Sequence, residues 1–326
     1  MHMADALLTP AVGGSLWLAC GMVAGVAVKK IQEKDNSKIV PLMGVLGAFV
    51  FAAQMVNFTI PGTGSSGHIT GGILLAALLG KYAGFMTLAV VLLLQSLFFA
   101  DGGILAYGGN AINMGFYACF IAYPLICRPL WHRTKSKGEF MLVTVLGSVV
   151  ALELGAASVV VETTLSGISA LPFSTFALFM LPIHLAIGIV EGLLTGSILL
   201  FVQEARPELL QETCPQGKYS LKKIVAGFAL AAVLVGGVFS LQASDHPDGL
   251  EWSLEKVMGS EEIQATNYWH LAAEKLQNFT ALFPDYNMPG KEAPLGTSIA
   301  GVGGGLAVCA VCLGLGKILH KDSKEG

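Results

Sequence analysis

The chain has 326 residues, of which 54% are hydrophobic and only 13% charged, and its formal net charge is −3. A soluble domain of this length would need far more charge on its surface. The charged residues concentrate in short gaps between long apolar runs, and a run of about 20 apolar residues crosses the ~30 Å hydrocarbon layer of a bilayer. There is no basic stripe with interleaved aromatic residues, which argues against nucleic-acid binding. The composition therefore predicts a polytopic membrane protein.

Nine apolar runs are candidate membrane spans, and together they predict an all-α fold. They cover residues 6–28, 39–57, 69–80, 83–100, 104–127, 140–162, 173–202, 221–241 and 295–319. The third run is short for a full crossing. It is therefore expected to be tilted, broken or partly re-entrant.

The placement of lysine and arginine predicts the orientation of these spans. With the N-terminus outside and the C-terminus inside, 16 of the 19 basic residues lie in cytoplasmic segments, as the positive-inside rule requires. The other three lie in the long external loop 242–294, where the rule has little force. The first residues lack the basic segment of a cleavable signal peptide. Met1 and His2 are therefore expected to form the mature N-terminus, on the outer face.

A polar, proline-bearing stretch divides the chain into two blocks. Residues 1–203 form a seven-span block, 204–220 a cytoplasmic linker, and 221–326 a two-span hairpin with the outer loop 242–294. That loop holds nine Asp or Glu and three Lys, a net charge of −6. An acidic surface attracts cations only over a screening length of ~8 Å at physiological salt. Its role stays open between steering cations and keeping the loop soluble.

The first two residues form a possible metal chelate. The α-amine, the amide nitrogen of residue 2 and the imidazole of His2 can bind one ion through fused rings, which leaves one position of a square plane open. An all-nitrogen square plane suits Ni(II) or Cu(II) and suits tetrahedral zinc badly. Many chains begin with Met-His by chance, so this pattern needs support from elsewhere in the sequence.

The segment PGTGSSGHITGG, residues 61–72, supplies that support. It opens the short third span on the same face as His2, and it contains five glycines, two serines and His68. Glycine-rich backbone permits close approach to a ligand, and an imidazole is a natural fourth nitrogen. A loop histidine with a purely structural hydrogen bond is the alternative.

Four motifs resemble those of a known family: MHMADALLTP at 1–10, QMVNFTIPGTGSSGHITGG at 54–72, FADGG at 99–103 and GGNAINMG at 108–115. The family is the substrate-capture membrane component (S-component) of cobalt/nickel energy-coupling-factor transporters, which are ABC-type importers. The resemblance covers nearly the whole chain. The segment from about residue 221, with HPDGLEWS at 246–253, resembles the small two-helix accessory subunit, here fused to the same chain.

The resemblance implies a ligand set. In the family, the terminal amine, the amide and imidazole of the second residue, and a histidine of the glycine-rich loop hold the metal, and these roles fall on Met1, His2 and His68. The transported ligand is Ni(II) or Co(II), and no cofactor is bound permanently. The usual early proline and glycine stand here as Ala4 and Ala6. That departure weakens any inference about which metal is preferred.

The resemblance also implies partners and a location. The partners are a membrane scaffold (T-component) and two cytoplasmic P-loop ATPases, in the cell membrane of a prokaryote. The chain itself contains no GxxxxGK[ST] phosphate-binding motif, so ATP hydrolysis is assigned to separate subunits. The function expected is capture of the ion outside the cell and delivery for ATP-driven uptake, and the chain is expected not to be an enzyme.

Four polar residues are candidates for orienting the ligands: Asn57, Ser66, Asn110 and Asn113. A ligand imidazole commonly donates its free N–H to a neighbouring polar group. Polar contacts between packed helices would explain the asparagines equally well.

Glu153, His184 and Glu191 are ionisable residues inside predicted spans, which makes them functional suspects. They define the alternative function, a stand-alone proton-coupled secondary metal transporter. His184 and Glu191 are seven residues apart on one helix face, so a structural His–carboxylate pair is the other explanation. An intramembrane metalloenzyme ranks below both, because the sequence has no HExxH motif.

Overall fold

The computed structural model describes residues 1–33, 39–168, 170–210, 219–261, 263–264, 267–288 and 294–325. The predicted linker 204–220 lies partly outside the described residues, at 211–218. The helices are α1 (Pro10–Gln32), α2 (Ile39–Gln54), α3 (Gly72–Leu79), α4 (Lys81–Phe98), α5 (Tyr107–Trp131), α6 (Lys137–Leu165), α7 (Phe173–Ala205), α8 (Leu221–Gly237), α9 (Gly249–Met258), α10 (Tyr268–Thr280) and α11 (Pro294–Glu325). A short antiparallel hairpin of β1 (Phe58–Ile60) and β2 (Ser65–Gly67) lies between α2 and α3.

The helical fold expected of a polytopic membrane protein is confirmed. Each of the nine predicted spans contains one helix, α1 to α8 or α11, while α9 and α10 lie in the loop 242–294. Six helices are long and apolar enough to cross a membrane, namely α1, α4, α5, α6, α7 and α11. The number of crossings and their orientation stay predictions.

The third predicted span contains the shortest of the nine helices that match predicted spans. Helix α3 has only 8 residues, all of them buried, and at 1.5 Å per residue it is about 12 Å long. Residues 68–71 precede it without helical structure. Its N-terminal flank, Gly71, has φ of 75°, and a Cβ there would lie 2.6 Å from Cγ1 of Val50. Glycine at position 71 therefore allows the glycine-rich loop, residues 61–72, to turn into α3 while it packs against α2.

Helices α6 and α7 pack together along small residues. A Cβ on Gly192 would lie 2.4 Å from Cα of Val145, and one on Gly196 would lie 2.4 Å from Sδ of Met141. Close approach over glycine is a common way to pack helices inside a membrane. The outer faces of the same helices expose apolar side chains such as Leu142 and Leu178, as a surface in contact with lipid requires.

The two-helix hairpin of α8 and α11 packs against α2. The rings of Phe49 and Phe228 meet edge to face with their centroids 5.4 Å apart. The second helix of the hairpin, α11, contacts α2 at Gly304. A Cβ on Gly304 would lie 2.3 Å from Cζ of Phe51 in α2, so glycine leaves room for that ring. The hairpin is thus seated on the seven-helix block, and this contact fixes where the loop between α8 and α11 reaches that block.

The contact between α8 and α11 gives a test of this packing. A Cβ on Gly301 would lie 2.0 Å from the carbonyl oxygen of Gly236, whereas Gly303 has no atom within 4 Å. We expect Gly301→Ala to lower the free energy of unfolding by about 1–3 kcal/mol, because overpacking forces backbone shifts. Thermal unfolding in detergent measures it, with Gly303→Ala as the matched control. Equal melting temperatures for the two variants would contradict the packing.

Candidate metal centre

The first residues of the chain form an extended segment that the protein holds by its backbone. The amide of Asn110 bonds Met3 on both sides: the backbone N–H of Met3 donates to Oδ1 at 2.8 Å, and Nδ2 donates to the carbonyl of Met3 at 3.2 Å. The N–H of Gly103 donates to the same carbonyl at 2.8 Å. Met3 is fully buried. The position of Met1 and His2 is therefore set by hydrogen bonds two residues further along.

The FADGG motif makes room for this segment. A Cβ on Gly103 would lie 1.9 Å from Oδ1 of Asp5, and one on Gly102, whose φ is 81°, would lie 2.9 Å from Nδ2 of Asn110. The carboxylate of Asp5 accepts the N–H of Ala106 at 3.0 Å. The two glycines are thus needed because the N-terminal segment passes directly over them.

The amino group of Met1 lies between a histidine and a carboxylate. Its nitrogen is 3.3 Å from Nε2 of His68 and 2.5 Å from Oδ2 of Asp248. The Met1 and Asp248 side chains are 4% and 13% exposed, so the ion pair is largely screened from water. The α-amine and the histidine of the glycine-rich loop, which are distant in sequence, are neighbours in space.

His68 presents one ring nitrogen to the amine. Its Nδ1 lies 3.1 Å from the carbonyl oxygen of Ile69, and because a carbonyl only accepts, Nδ1 carries the proton and Nε2 keeps its lone pair. The strand before it is close-packed, since a Cβ on Gly67 would lie 2.6 Å from Cγ1 of Ile187. The glycine-rich loop therefore holds His68 rigidly, with a metal-binding atom pointed at Met1.

The imidazole of His2 stacks on that of His68. The ring centroids are 5.1 Å apart and the planes are inclined by 23°. Nδ1 of His2 lies 3.1 Å from Oδ1 of Asp101, and the His2 side chain also interacts with that of Gln95. For Nδ1 to complete a chelate with the amine, the ring has to turn about its Cβ–Cγ bond and leave Asp101.

Burial keeps both imidazoles neutral. Desolvation, and then the positive charge of the N-terminus, lower the pKa of His2 and of His68 to about 3. Neutral imidazole is the form that binds metal ions. The two rings therefore need no proton removed before they bind a cation at neutral pH.

Asp248 is the negative counterpart of this cluster. Burial alone would raise the pKa of its carboxyl, but the charge of the N-terminus and the hydrogen bond to it hold that pKa below its usual range. Asp248 also caps α9, accepting the N–H groups of Leu250 and Glu251 at 2.7 and 3.0 Å. Two main effects raise the pKa of Glu251 to about 7: the negative charge of Asp248 is the larger, and burial is the smaller.

The other predicted site residues lie around this cluster, and the hydrogen bonds described for them go to groups other than the two imidazoles. Asn110 holds Met3, and Asn113 donates to Glu162 at 2.9 Å and to Sδ of Met3 at 3.7 Å. The hydroxyl of Ser66 donates to the carbonyl of His246 at 2.7 Å. The carbonyl of Asn57 accepts from the N–H of Ser244 at 2.9 Å. The asparagines on α5 thus support the N-terminal segment, whereas Ser66 and Asn57 support the segment that carries Asp248.

The intramembrane ionisable residues are not paired with one another. Glu191 accepts from the hydroxyl of Thr70 at 2.6 Å and from the N–H groups of Thr70 and Gly71 at 3.0 and 3.1 Å. Nδ1 of His184 donates to the carbonyl of Met180 at 2.7 Å. Oε1 of Glu153 has no hydrogen-bond partner. The suggested His184–Glu191 pair is therefore not present in the described part of the chain, although both residues lie beside the binding loop.

Sequence reasoning missed two acidic residues of the cluster, Asp101 and Asp248. Both lie inside motifs that the sequence analysis quoted, FADGG and HPDGLEWS, so their presence was visible. Their convergence on Met1 and His2 was not, because 99 residues separate Asp101 from His2 and 247 separate Asp248 from Met1. In the described residues, no three His, Cys, Asp or Glu side chains converge closely enough to hold a metal ion. A metal site here therefore has to use backbone nitrogen as well as side chains.

Comparison with known proteins agrees with the resemblance. The sequence pattern of the CbiM family, described as "Cobalt uptake substrate-specific transmembrane region", matches residues 2–209, and that of the PDGLE domain matches residues 222–321. The chain is 32% identical over 319 residues to the "Probable fused nickel transport protein LarMN" of Lactiplantibacillus plantarum, covering 93% of each chain. It is 29% identical over 212 residues to the "Cobalt transport protein CbiM" of Clostridium tetani, covering 63% of this chain and 85% of that one.

A solved structure is similar as well. A crystal structure of a truncated transition metal transporter superposes with a TM-score of 0.56 and 31% sequence identity, over 63% of this chain and 99% of that one. The first of the two matched regions covers more than half of the chain. The protein therefore belongs to the CbiM family of cobalt uptake substrate-specific transmembrane proteins and carries a PDGLE domain after the CbiM region.

Proposed function

We propose that this protein captures Ni(II) or Co(II) at the outer face of a prokaryotic cell membrane and delivers the ion for ATP-driven uptake by an energy-coupling-factor transporter. In this proposal Met1 is the mature N-terminus. The ligands are the amine of Met1, the amide nitrogen and Nδ1 of His2, and Nε2 of His68. Residues 1–203 form the capture domain and residues 221–326 the accessory hairpin.

One observation carries this proposal: the Met1 nitrogen lies 3.3 Å from Nε2 of His68. Both groups are buried, and hydrogen bonds to Asn110 and Ile69 hold the two chain segments in place. Two nitrogen ligands on adjacent corners of a square plane lie about 3 Å apart, because each is about 2 Å from the metal. Completing four nitrogens then requires loss of protons from the amine and the amide, and a turn of the His2 ring with its proton on Nε2, so that Nδ1 has a free lone pair.

The accessory hairpin supports the same function from outside. Its loop contributes Asp248, which pairs with the Met1 amine, and His270, whose Nε2 lies 2.7 Å from the carbonyl of Leu8. Both contacts hold the N-terminal segment, and neither histidine of the loop, His246 or His270, lies in the ligand set. We propose that the loop stabilises the segment without binding the metal through its histidines.

Coupling to a scaffold protein requires an open helix face. Gly21 and Gly25 of α1 have no atom within 4 Å of an added Cβ, and Leu18 and Met22 beside them are 72% and 69% exposed. Small residues one turn apart let a second helix approach closely. This face of α1 is available to a membrane scaffold, and two ATPase subunits would complete the transporter.

The ligand set makes the first prediction. His68→Ala, one residue inserted between Met1 and His2, or acetylation of the amine should each weaken Ni(II) and Co(II) binding by at least about 100-fold, since even residues that only orient a ligand cost 10- to 100-fold. Calorimetry on the purified protein measures it, with unchanged expression and monodispersity. The control is His132→Ala, in an exposed loop outside the site. Full affinity in the extended protein would refute the Met1–His2 chelate.

The ion pair makes the second prediction. Asp248→Asn keeps the cap of α9 but leaves the buried amine without a negative partner. Breaking a fully buried pair costs about 3–5 kcal/mol, and because Asp248 is partly exposed we expect a loss of about 2 kcal/mol. Thermal unfolding of the metal-free protein in detergent measures it. Asp245→Asn, an exposed residue of the same segment, should change nothing. Equal stability of both variants would mean that the loop is not held through Asp248.

The mode of coupling makes the third prediction. Gly21→Leu with Gly25→Leu should abolish uptake in cells that express the scaffold and ATPases, while binding of Ni(II) to the purified protein stays unchanged. Gly227→Leu, an equally open glycine of α8, is the control. Metal uptake that persists with both ATPases inactivated would instead support the alternative, a proton-coupled transporter that uses Glu153, His184 and Glu191.

A further inference from the structure

His184 has a buried ring nitrogen, Nε2, that makes no hydrogen bond to any described residue. The side chain lies on α7 and is 1% exposed. Nδ1 donates its proton to the carbonyl of Met180 at 2.7 Å, so Nε2 holds a lone pair, and within the described part of the chain Nε2 has no hydrogen-bond partner. A buried polar atom without a partner costs free energy and calls for an explanation.

This nitrogen belongs to a residue that lines the same cavity as the metal ligands. The cavity has a volume of about 10 Å³ and is lined by Met1, His68, His184, Asp248 and Gly249, among others. It is about large enough for one water molecule. A Cβ on Gly249 would lie 3.0 Å from Cε1 and 3.3 Å from Nε2 of His184. Glycine at this position therefore keeps the Nε2 edge of the ring free of side-chain atoms.

The other polar groups that line the cavity are already in use. The Met1 amine and Nε2 of His68 are in the proposed ligand set. The carboxylate of Asp248 is bonded to the amine and to the start of α9, and the hydroxyl of Thr70 donates to Glu191. Among the residues that line this cavity, His184 thus offers the side-chain donor that is free to bind an ion.

A planar four-coordinate ion exchanges its ligands by first accepting a fifth donor above or below the plane. An ion held by Met1, His2 and His68 would dissociate slowly, because several bonds to the metal have to break and the cavity beside them has room for only about one water molecule. A protein that has to load and release such an ion needs a donor beside the plane. Imidazole suits both Ni(II) and Co(II).

We propose that His184 is an exchange ligand, which binds the ion through Nε2 while the ion enters or leaves the chelate of Met1, His2 and His68. The proposal rests on the function proposed above. On release, the bond between Nε2 and the metal forms and the bond between the Met1 nitrogen and the metal breaks. The freed amine takes a proton from solvent and pairs with Asp248, the arrangement seen in this structure. As the bonds from the metal to His2 and His68 break in turn, the amide nitrogen of His2 takes a second proton from solvent, and the ion finally leaves His184. Loading follows the reverse order, and the metal keeps its oxidation state throughout.

An exchange ligand has a kinetic signature that a structural residue lacks. It lowers the barrier between the free and the bound state and leaves both end states alone. Loss of His184 should therefore slow association and dissociation by the same factor and leave Kd unchanged. If His184 were a permanent fifth ligand, its loss would instead raise Kd. If it only filled space, its loss would change the stability of the protein without slowing both rates by the same factor.

The experiment uses the purified full-length protein in detergent and Ni(II) as the probe. Stopped-flow measurements follow binding of Ni(II) and its removal by an excess of a strong chelator. We expect His184→Gln and His184→Phe to slow both rates by about tenfold or more, with Kd within about threefold of the wild-type value. His184→Phe keeps the size of the ring, and His184→Gln serves if the phenyl variant does not fold. Leu152→Val, which lines the same cavity without a donor, should exchange at the wild-type rate.

The outcomes separate this inference from the function on which it rests. Matched slowing in both His184 variants, with normal rates in Leu152→Val, supports the exchange role. Wild-type rates in the His184 variants, or a raised Kd with an unchanged association rate, would overturn the exchange role and leave the capture function standing. A wild-type protein that binds neither Ni(II) nor Co(II) would overturn both.

Discussion

The two hydrogen bonds between Asn110 and the backbone of Met3 are the constraint on which the rest of the centre depends. Two residues at the start of a chain would ordinarily be mobile, because termini lose conformational entropy on ordering and gain few contacts in return. Here Gly103 adds a third bond to Met3. The amine of Met1 is thereby set beside His68. Metal affinity in the proposed site would depend on preset geometry, and the bonds to Met3 set that geometry together with the contacts of Met1 to His68 and Asp248.

The hydrogen bonds to Met3 also bring the backbone of the N-terminal segment close to the backbone at Gly102 and Gly103. The N-terminal segment reaches His68 only because Gly102 and Gly103 let it pass, with atoms of Asp5 where a Cβ would stand on Gly103. Gly67 does the same for the binding loop against α7. Close chain crossings near Met1, His2 and His68 thus account for Gly67, Gly102 and Gly103. Direct contact with the metal is required of none of them.

Much of the fold could be predicted from sequence, because a membrane span is encoded locally by a run of apolar residues. The same reasoning recognised that residues 69–80 were too short for an ordinary crossing, and α3 has only eight residues. The ligand candidates Met1, His2 and His68 could be named because each lies in a distinctive local pattern. The pairing of Asp248 with Met1 could not, since it depends on how the accessory hairpin packs on α2. The hydrogen bonds between Asn110 and Met3 could not be predicted either, because they depend on how the N-terminal segment crosses α5.

The orientation of the His2 ring and the ion pair of Asp248 describe one metal-free arrangement. In it two of the four proposed ligand nitrogens are paired with carboxylates: Nδ1 of His2 with Asp101, and the amine of Met1 with Asp248. Asp248 favours the protonated amine, and Asp101 favours the neutral tautomer of His2 that carries its proton on Nδ1, so both contacts compete with a cation as long as those protons stay. The buried polar groups at the start of the chain are therefore hydrogen-bonded in the metal-free arrangement. One of the two carboxylates, Asp248, comes from the accessory hairpin, so the packing of that hairpin bears directly on the proposed site.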